Sequence, residues 1–155
     1  MNMKQQQKKL LGIVLIAFLI GLTGCESDRS TDPILPGEKA VLVISFSSNP
    51  VYETSSGKFK YIIFIDEVND TGATITSVKL ETVDGEGNVT DTDRHDEAWV
   101  RRTFGTSYIR PMGRLMANIE LNAAYGSERE TWWLRGTDDE GNSFEYQGSV
   151  ELISR

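Results

Sequence analysis

Residues Leu115 to Asn122 alternate without a break: Leu115, Ala117, Ile119 and Leu121 are apolar, while Met116, Asn118, Glu120 and Asn122 fall on the other phase. A strict period of two suits only an extended strand with one face buried, because successive strand side chains point to opposite sides of a sheet. The same pattern recurs where Phe144, Tyr146, Gly148, Val150 and Leu152 alternate with Glu145, Gln147, Ser149 and Glu151. Ala40 to Phe46 puts Ala40, Leu42, Ile44 and Phe46 on one face. No stretch after the first 25 residues sustains a helical period.

The remaining segments fit the same class. Phe59 to Ile65 is apolar and β-branched or aromatic on both faces, which predicts a strand central in its sheet. Ala73 to Val83 has Val78, Leu80 and Thr82 in phase and Ile75 out of phase, so a bulge is expected near Thr76-Ser77. Thr131 to Gly136 reads as a strand, and Ala98-Trp99-Val100 as a short edge strand in the least regular region, Val89 to Gly113. Turn clusters stand between these runs at Asn69–Gly72, Asp84–Asn88 and Asp138–Asn142. About seven short antiparallel strands separated by turns predict an all-β sandwich. The expected core comprises Leu42, Ile44, Phe46, Ile63, Leu115, Ile119, Leu121, Trp132, Tyr146 and Val150.

The order and spacing of these strands resemble immunoglobulin-like or fibronectin-III-like domains of bacterial surface proteins, over roughly residues 39–155. The resemblance is one of architecture only, since the Cys…Trp…Cys pattern of antibody domains is absent. It implies a binding or accessory module and names no ligand.

The N-terminus has a different character. Lys4, Lys8 and Lys9 precede an apolar run from Leu10 to Leu22, and Thr23-Gly24-Cys25 follows. Those 13 residues would form a helix of about 20 Å, short of a hydrocarbon core of ~30 Å. A positive start, a short apolar middle and small residues before a cut describe a secretory signal. Leu22-Thr23-Gly24-Cys25 resembles the lipobox of bacterial lipoproteins. This implies removal of residues 1–24, attachment of diacylglycerol and palmitate-type acyl chains to Cys25, and anchorage in the cell envelope. Glu26 rather than Asp after that cysteine tilts the expectation toward the outer membrane of a Gram-negative cell. Residues 25–38, polar and carrying Pro33, Pro36 and Gly37, read as a flexible tether.

Charge and cysteine narrow the function classes. Three of the 16 basic residues and none of the 23 acidic ones precede Cys25, so the mature 131-residue chain carries −10. Such a balance argues against nucleic acid as a partner. Cys25 is the only cysteine, which leaves the domain without a disulfide or a thiolate nucleophile. No nucleophile elbow, zincin motif or phosphate loop is present, so no enzyme and no cofactor are expected.

Three features compete as sites. Asp84-Gly85-Glu86-Gly87-Asn88 and Asp138-Asp139-Glu140-Gly141-Asn142 share Asp-x-Glu-Gly-Asn, which suits hairpin turns better than calcium. Asp91, Asp93, Asp96 and Glu97 surround the one histidine, His95; a solvated, mobile acidic loop is expected there rather than a metal centre or a hydrolase built on Asp93, His95 and Asp96. Trp99, Tyr108, Tyr125 and Trp133 are the candidate ligand-binding aromatics. A coplanar exposed pair among them would favour a carbohydrate-binding module over the preferred reading, a lipoprotein that binds another protein. Adjacent Trp132 and Trp133 must face opposite sides of their strand, so at most one belongs to the core.

Overall fold

The computed structural model describes residue 35 and residues 37–154. The lipidation position, Cys25, and the leader before it lie outside the described residues, as does most of the tether. Among the described residues, nine strands and one helix follow in chain order: β1 (Leu42–Phe46), β2 (Val51–Tyr52), β3 (Phe59–Glu67), β4 (Ala73–Asp84), β5 (Val89–Asp96), α1 (Glu97–Phe104), β6 (Tyr108–Ile109), β7 (Arg114–Leu121), β8 (Ser127–Asp138) and β9 (Ser143–Ile153). Two of the strands are two-residue pieces that periodicity cannot reveal.

One sheet runs β1-β3-β7 and the other β2-β9-β8-β4-β5, with β6 paired to β4. The pairs are antiparallel except β2 with β9, where the chain crosses from the first sheet to the second. This is the strand order of an immunoglobulin-like β-sandwich. Central β3 has Tyr61, Ile63 and Ile65 buried and Ile62 and Phe64 half-buried, which explains why it reads as apolar on both faces. The β4 register shifts between Ile75 and Ser77, at the predicted bulge, and lets both Ile75 and Val78 reach the core.

Of the expected core, Leu42, Ile63, Leu115, Trp132 and Val150 are buried. Ile44, Phe46, Ile119, Leu121 and Tyr146 are half-buried but pack on the same cluster. Their partial exposure has a positional cause: apart from Tyr146 on β9, they sit on β1 and β7, the edges of a sheet only three strands wide. Ile44 lies directly over Gly148, where a Cβ would come within 2.7 Å of its side chain. The absence of a side chain there draws β1 down onto β9.

Two expectations fail in the region from Val89 to Gly113. The acidic segment is not a mobile loop but strand β5, paired with β4 from Ser77↔Asp96 to Val83↔Val89. It has no period-two signal because it is the outer strand of its sheet and mostly exposed on both faces. Ala98-Trp99-Val100 is not an edge strand but part of α1. Asp96 caps that helix by accepting the Trp99 N–H at 2.9 Å, Glu97 lies in the first turn, Arg101 and Arg102 in the last, and Gly105 closes it in the left-handed region. The helix lies against β4, β5 and β7. A four-stranded immunoglobulin sheet takes its fourth strand from this part of the chain; here a helix closes the sandwich instead. Burial of Val100, which has no exposed surface, contributes about 1.5–3 kcal/mol to holding it there.

Candidate functional site

The two Asp-x-Glu-Gly-Asn segments are the β4–β5 and β8–β9 hairpin turns. In the first, Asp84 Oδ1 accepts the Glu86 and Asn88 N–H groups at 3.0 and 2.8 Å, and Oδ2 accepts the Asn88 side-chain amide at 3.0 Å. Those donors, the Asn88 amide foremost, hold the Asp84 carboxyl below its ordinary pKa. The carboxylate is therefore occupied by its own turn.

Beside this hairpin opens a cleft of about 900 Å³. Its walls are the Asp84–Gly87 turn, the segment around Tyr125 to Arg129 and the end of β9 from Glu151. Among the described residues, carboxylates of Asp84, Glu86, Glu128 and Glu151 line it, against the cation of Arg129. Tyr125 is fully exposed at its rim. An acidic, open cleft beside a free phenol ring suits contact with a cationic or hydrogen-bond-donating surface.

The other three candidate aromatics sit elsewhere. Trp99, on α1, is half-buried; its ring stacks on His95 with centroids 4.0 Å apart and lies 6.2 Å from Trp132. Tyr108 is 38% exposed and donates its hydroxyl to Asp139 at 2.9 Å, a bond that raises its pKa. Trp133 lies half-buried on the outer face of the larger sheet, with the Lys79 ammonium 4.5 Å from its ring centroid. Its indole N–H is shut off from solvent without an acceptor among the described residues. The ring contacts join Phe46 to Tyr61, His95 to Trp99, Trp99 to Trp132 and Phe144 to Tyr146; none joins two of the four candidates.

Around His95 the side chains separate. Asp96 is spent on the helix cap, and Glu97 accepts from Ser107 at 2.9 Å and pairs with Arg101. Among the described residues no group of three or more His, Cys, Asp and Glu side chains is arranged to hold a metal.

Sequence reasoning passed over one cluster entirely. Glu130, on the core face of β8, is 1% exposed. It accepts a hydrogen bond from the Tyr61 hydroxyl, which in turn accepts the Trp132 indole N–H at 3.0 Å. Burial raises the Glu130 pKa, with the negative charge of Asp93 adding to it, although the Tyr61 and Trp132 groups work against the rise. Tyr61 is likewise raised, by burial first and then by Glu130. The hint in the sequence was Glu130 falling in phase with Trp132 and Leu134. Tyr61 also borders a surface hollow together with Ser47, Lys60 and Ile62, while Glu130 and Trp132 are fully enclosed.

No protein-family model and no curated protein sequence matches the chain. Solved structures do. A CARDB domain of the PF1109 protein from Pyrococcus furiosus, determined with two metal ions, is 12% identical with a TM-score of 0.48, covering 83% of this chain and all of that one. Murine CRIg is 17% identical with a TM-score of 0.45, covering 74% of this chain and 98% of that one. The immunoglobulin-like assignment itself stands on strand order and pairing.

Proposed function

We propose that this chain is a lipid-anchored envelope lipoprotein whose immunoglobulin-like domain binds a protein partner and performs no catalysis. The observation that carries this reading is the leader ending Leu22-Thr23-Gly24-Cys25, with its short apolar run and a solitary cysteine at the lipidation position. A single sandwich on a polar tether is a form suited to presenting a binding surface away from a bilayer. The cleft beside Tyr125 is the docking place this reading favours, since its carboxylates suit a basic partner surface. The glycan-binding alternative draws no support from the four aromatics, which stand apart.

Expression of wild type and Cys25→Ala in a Gram-negative host, with metabolic labelling by a palmitate analogue, tests the anchor. Wild type should carry label and sediment with outer membranes, and the variant should lose label and remain uncleaved or soluble. Normal processing of the variant, or an unlabelled wild type, would overturn the lipoprotein reading. Tyr125→Ala and Glu128→Lys, assayed by pull-down from envelope extracts, then test the cleft.

A further inference from the structure

The outer face of the three-stranded sheet carries an exposed apolar strip enclosed by two charged rows. Cross-strand register places four rows on it: Asp66 beside Arg114, Phe64 beside Met116, Ile62 beside Asn118, and Lys60 beside Glu120. Met116 is 53% exposed, and Val43 on β1, beside Asp66 at the end of the strip, is 46% exposed. Phe64 and Ile62 are half-buried. A hollow of about 420 Å³ opens at the Ile62 end, between Ser47, Lys60, Asn118 and Glu120. Lys60, Arg114, Asn118 and Glu120 on this face are exposed as well.

The geometry points to a second copy of this chain as its occupant, related by a two-fold axis. Consider an axis lying in the face, perpendicular to the strands, midway between the Phe64–Met116 and Ile62–Asn118 rows. A half-turn about it sets the first row of one copy over the fourth row of the other. Arg114 then faces Glu120 of the second copy and Asp66 faces Lys60, and the same two contacts recur by symmetry. Phe64 meets Ile62, and Met116 projects over Asn118 beside the hollow. A two-fold interface requires this kind of self-complementarity, because each residue must suit its symmetry mate's neighbour as well as its own.

The charges are prepared for such contact. Arg114 binds Asp66 through two bonds of 2.6 and 3.0 Å, and Glu120 pairs with Lys58 and with Lys60, the latter at 2.8 Å. Each outer row is thus an internally paired group carrying both signs, so stacking one on the other buries no lone charge. Three strands present less than the ~800 Å² per partner of a standard interface, so the dimer is weak.

The test mixes isotope-labelled and unlabelled full chain in detergent at about 100 μM, where micromolar association is populated. A carbodiimide then joins amines to adjacent carboxylates. The expected product is a mixed-isotope cross-link between Lys60 of one copy and Asp66 of the other. Met116→Arg should lower its yield roughly tenfold, whereas Tyr125→Arg, on a different surface, should not change it. Thermal melting verifies that each variant is folded, and Asn118→Arg, at an exposed position on the same face, serves if Met116→Arg fails to fold. Absence of mixed-isotope product, indifference to a folded variant, or Lys60 cross-linked to another protein instead would each overturn the proposal.

Discussion

The hairpins at Asp84–Asn88 and Asp138–Asn142 share a sequence pattern and a backbone geometry, yet they hold different places in the molecule. In both, the Asp N–H donates to the Asn carbonyl, at 3.0 Å in the first and 2.9 Å in the second, and the third N–H of the turn returns to the Asp carbonyl at 3.0 Å. In both, a glycine before the Asn takes φ near the value only glycine adopts easily, 87° at Gly87 and 86° at Gly141. The difference lies in the carboxylate. Asp84 serves its own turn alone, whereas Asp138 also accepts the N–H of Ala40 at 3.1 Å, 98 positions away in the chain. Burial works to raise the Asp138 pKa, but the Asn142, Ala40 and Glu140 donors outweigh it and hold the group below its ordinary value. The same motif is a local turn in one place and a clasp on the first core residue in the other.

Truncation should separate the two. Asp138→Ala strands the buried Ala40 N–H and releases the part-buried donors of Glu140 and Asn142, and should cost about 2–3 kcal/mol in denaturant unfolding. If the loss is no greater than that from Asp84→Ala, the clasp on Ala40 contributes nothing.

Glu130 sharpens the contrast from the opposite direction, being a buried carboxyl with a raised pKa rather than a lowered one. For such a group the native contribution is complete below the unfolded value, about 4.3, and is lost as pH rises through the elevated folded value. Glu130→Gln keeps an acceptor for the Tyr61 hydroxyl and cannot ionise. It should therefore raise stability at pH 8 by about 1–2 kcal/mol, and by less at pH 5. A variant equally or less stable than wild type at pH 8 would show that ionised Glu130 is well accommodated.

Asp84→Ala should lower the melting temperature by less than half of what Asp138→Ala does, since its partners are all in an exposed turn that water can satisfy. The sign for both aspartates is the reverse of that for Glu130. Their lowered pKa values contribute stability above about pH 3.9, and it is lost as pH falls toward the folded values. Acid titration of Asp84→Ala should consequently show a shallower loss below pH ~4 than wild type.

The smallest effect belongs to Glu120, whose pKa Lys58 and then Lys60 bring down to about 2. Its stabilisation is present above the ordinary glutamate range and fades in acid. Because the group is solvent-exposed and screened, Glu120→Gln should alter only the acid limb of a melting-temperature profile, and only at low salt. A salt-insensitive effect would mean that the row is held by packing rather than charge.

The sequence by itself determined the strands that have one wet and one dry face. β7 and β9 announce themselves because each turns alternate side chains inward, and central β3 because its outer face too carries apolar residues, the half-buried Ile62 and Phe64. The Ile75 anomaly located the β4 bulge, since a buried residue in the wrong phase requires an extra residue in the strand. The turn motifs were legible because Gly-Asn and a preceding Asp close a hairpin with local bonds alone. The leader, too, is a property of sequence, a matter of charge and run length.

What tertiary structure decided lies where the local signal is too short or cancels. β5 is polar on both faces because an outer strand has no second neighbour to shield it, so no period survives. α1 is only eight residues long, two turns in which 3.6-residue periodicity barely develops, and its caps, Asp96 and Gly105, are known only from the folded backbone. The four aromatics became separate features because burial and partners, rather than residue type, fix a ring's role: Trp99 joined the core, Trp133 went under Lys79, Tyr108 bonded Asp139, and Tyr125 alone stood free. Glu130 could enter the core only because β3 delivers Tyr61 opposite β8, a contact spanning 69 positions. Side-chain chemistry sets what each residue can do locally, whereas a buried polar pair exists only once two distant strands have closed on it.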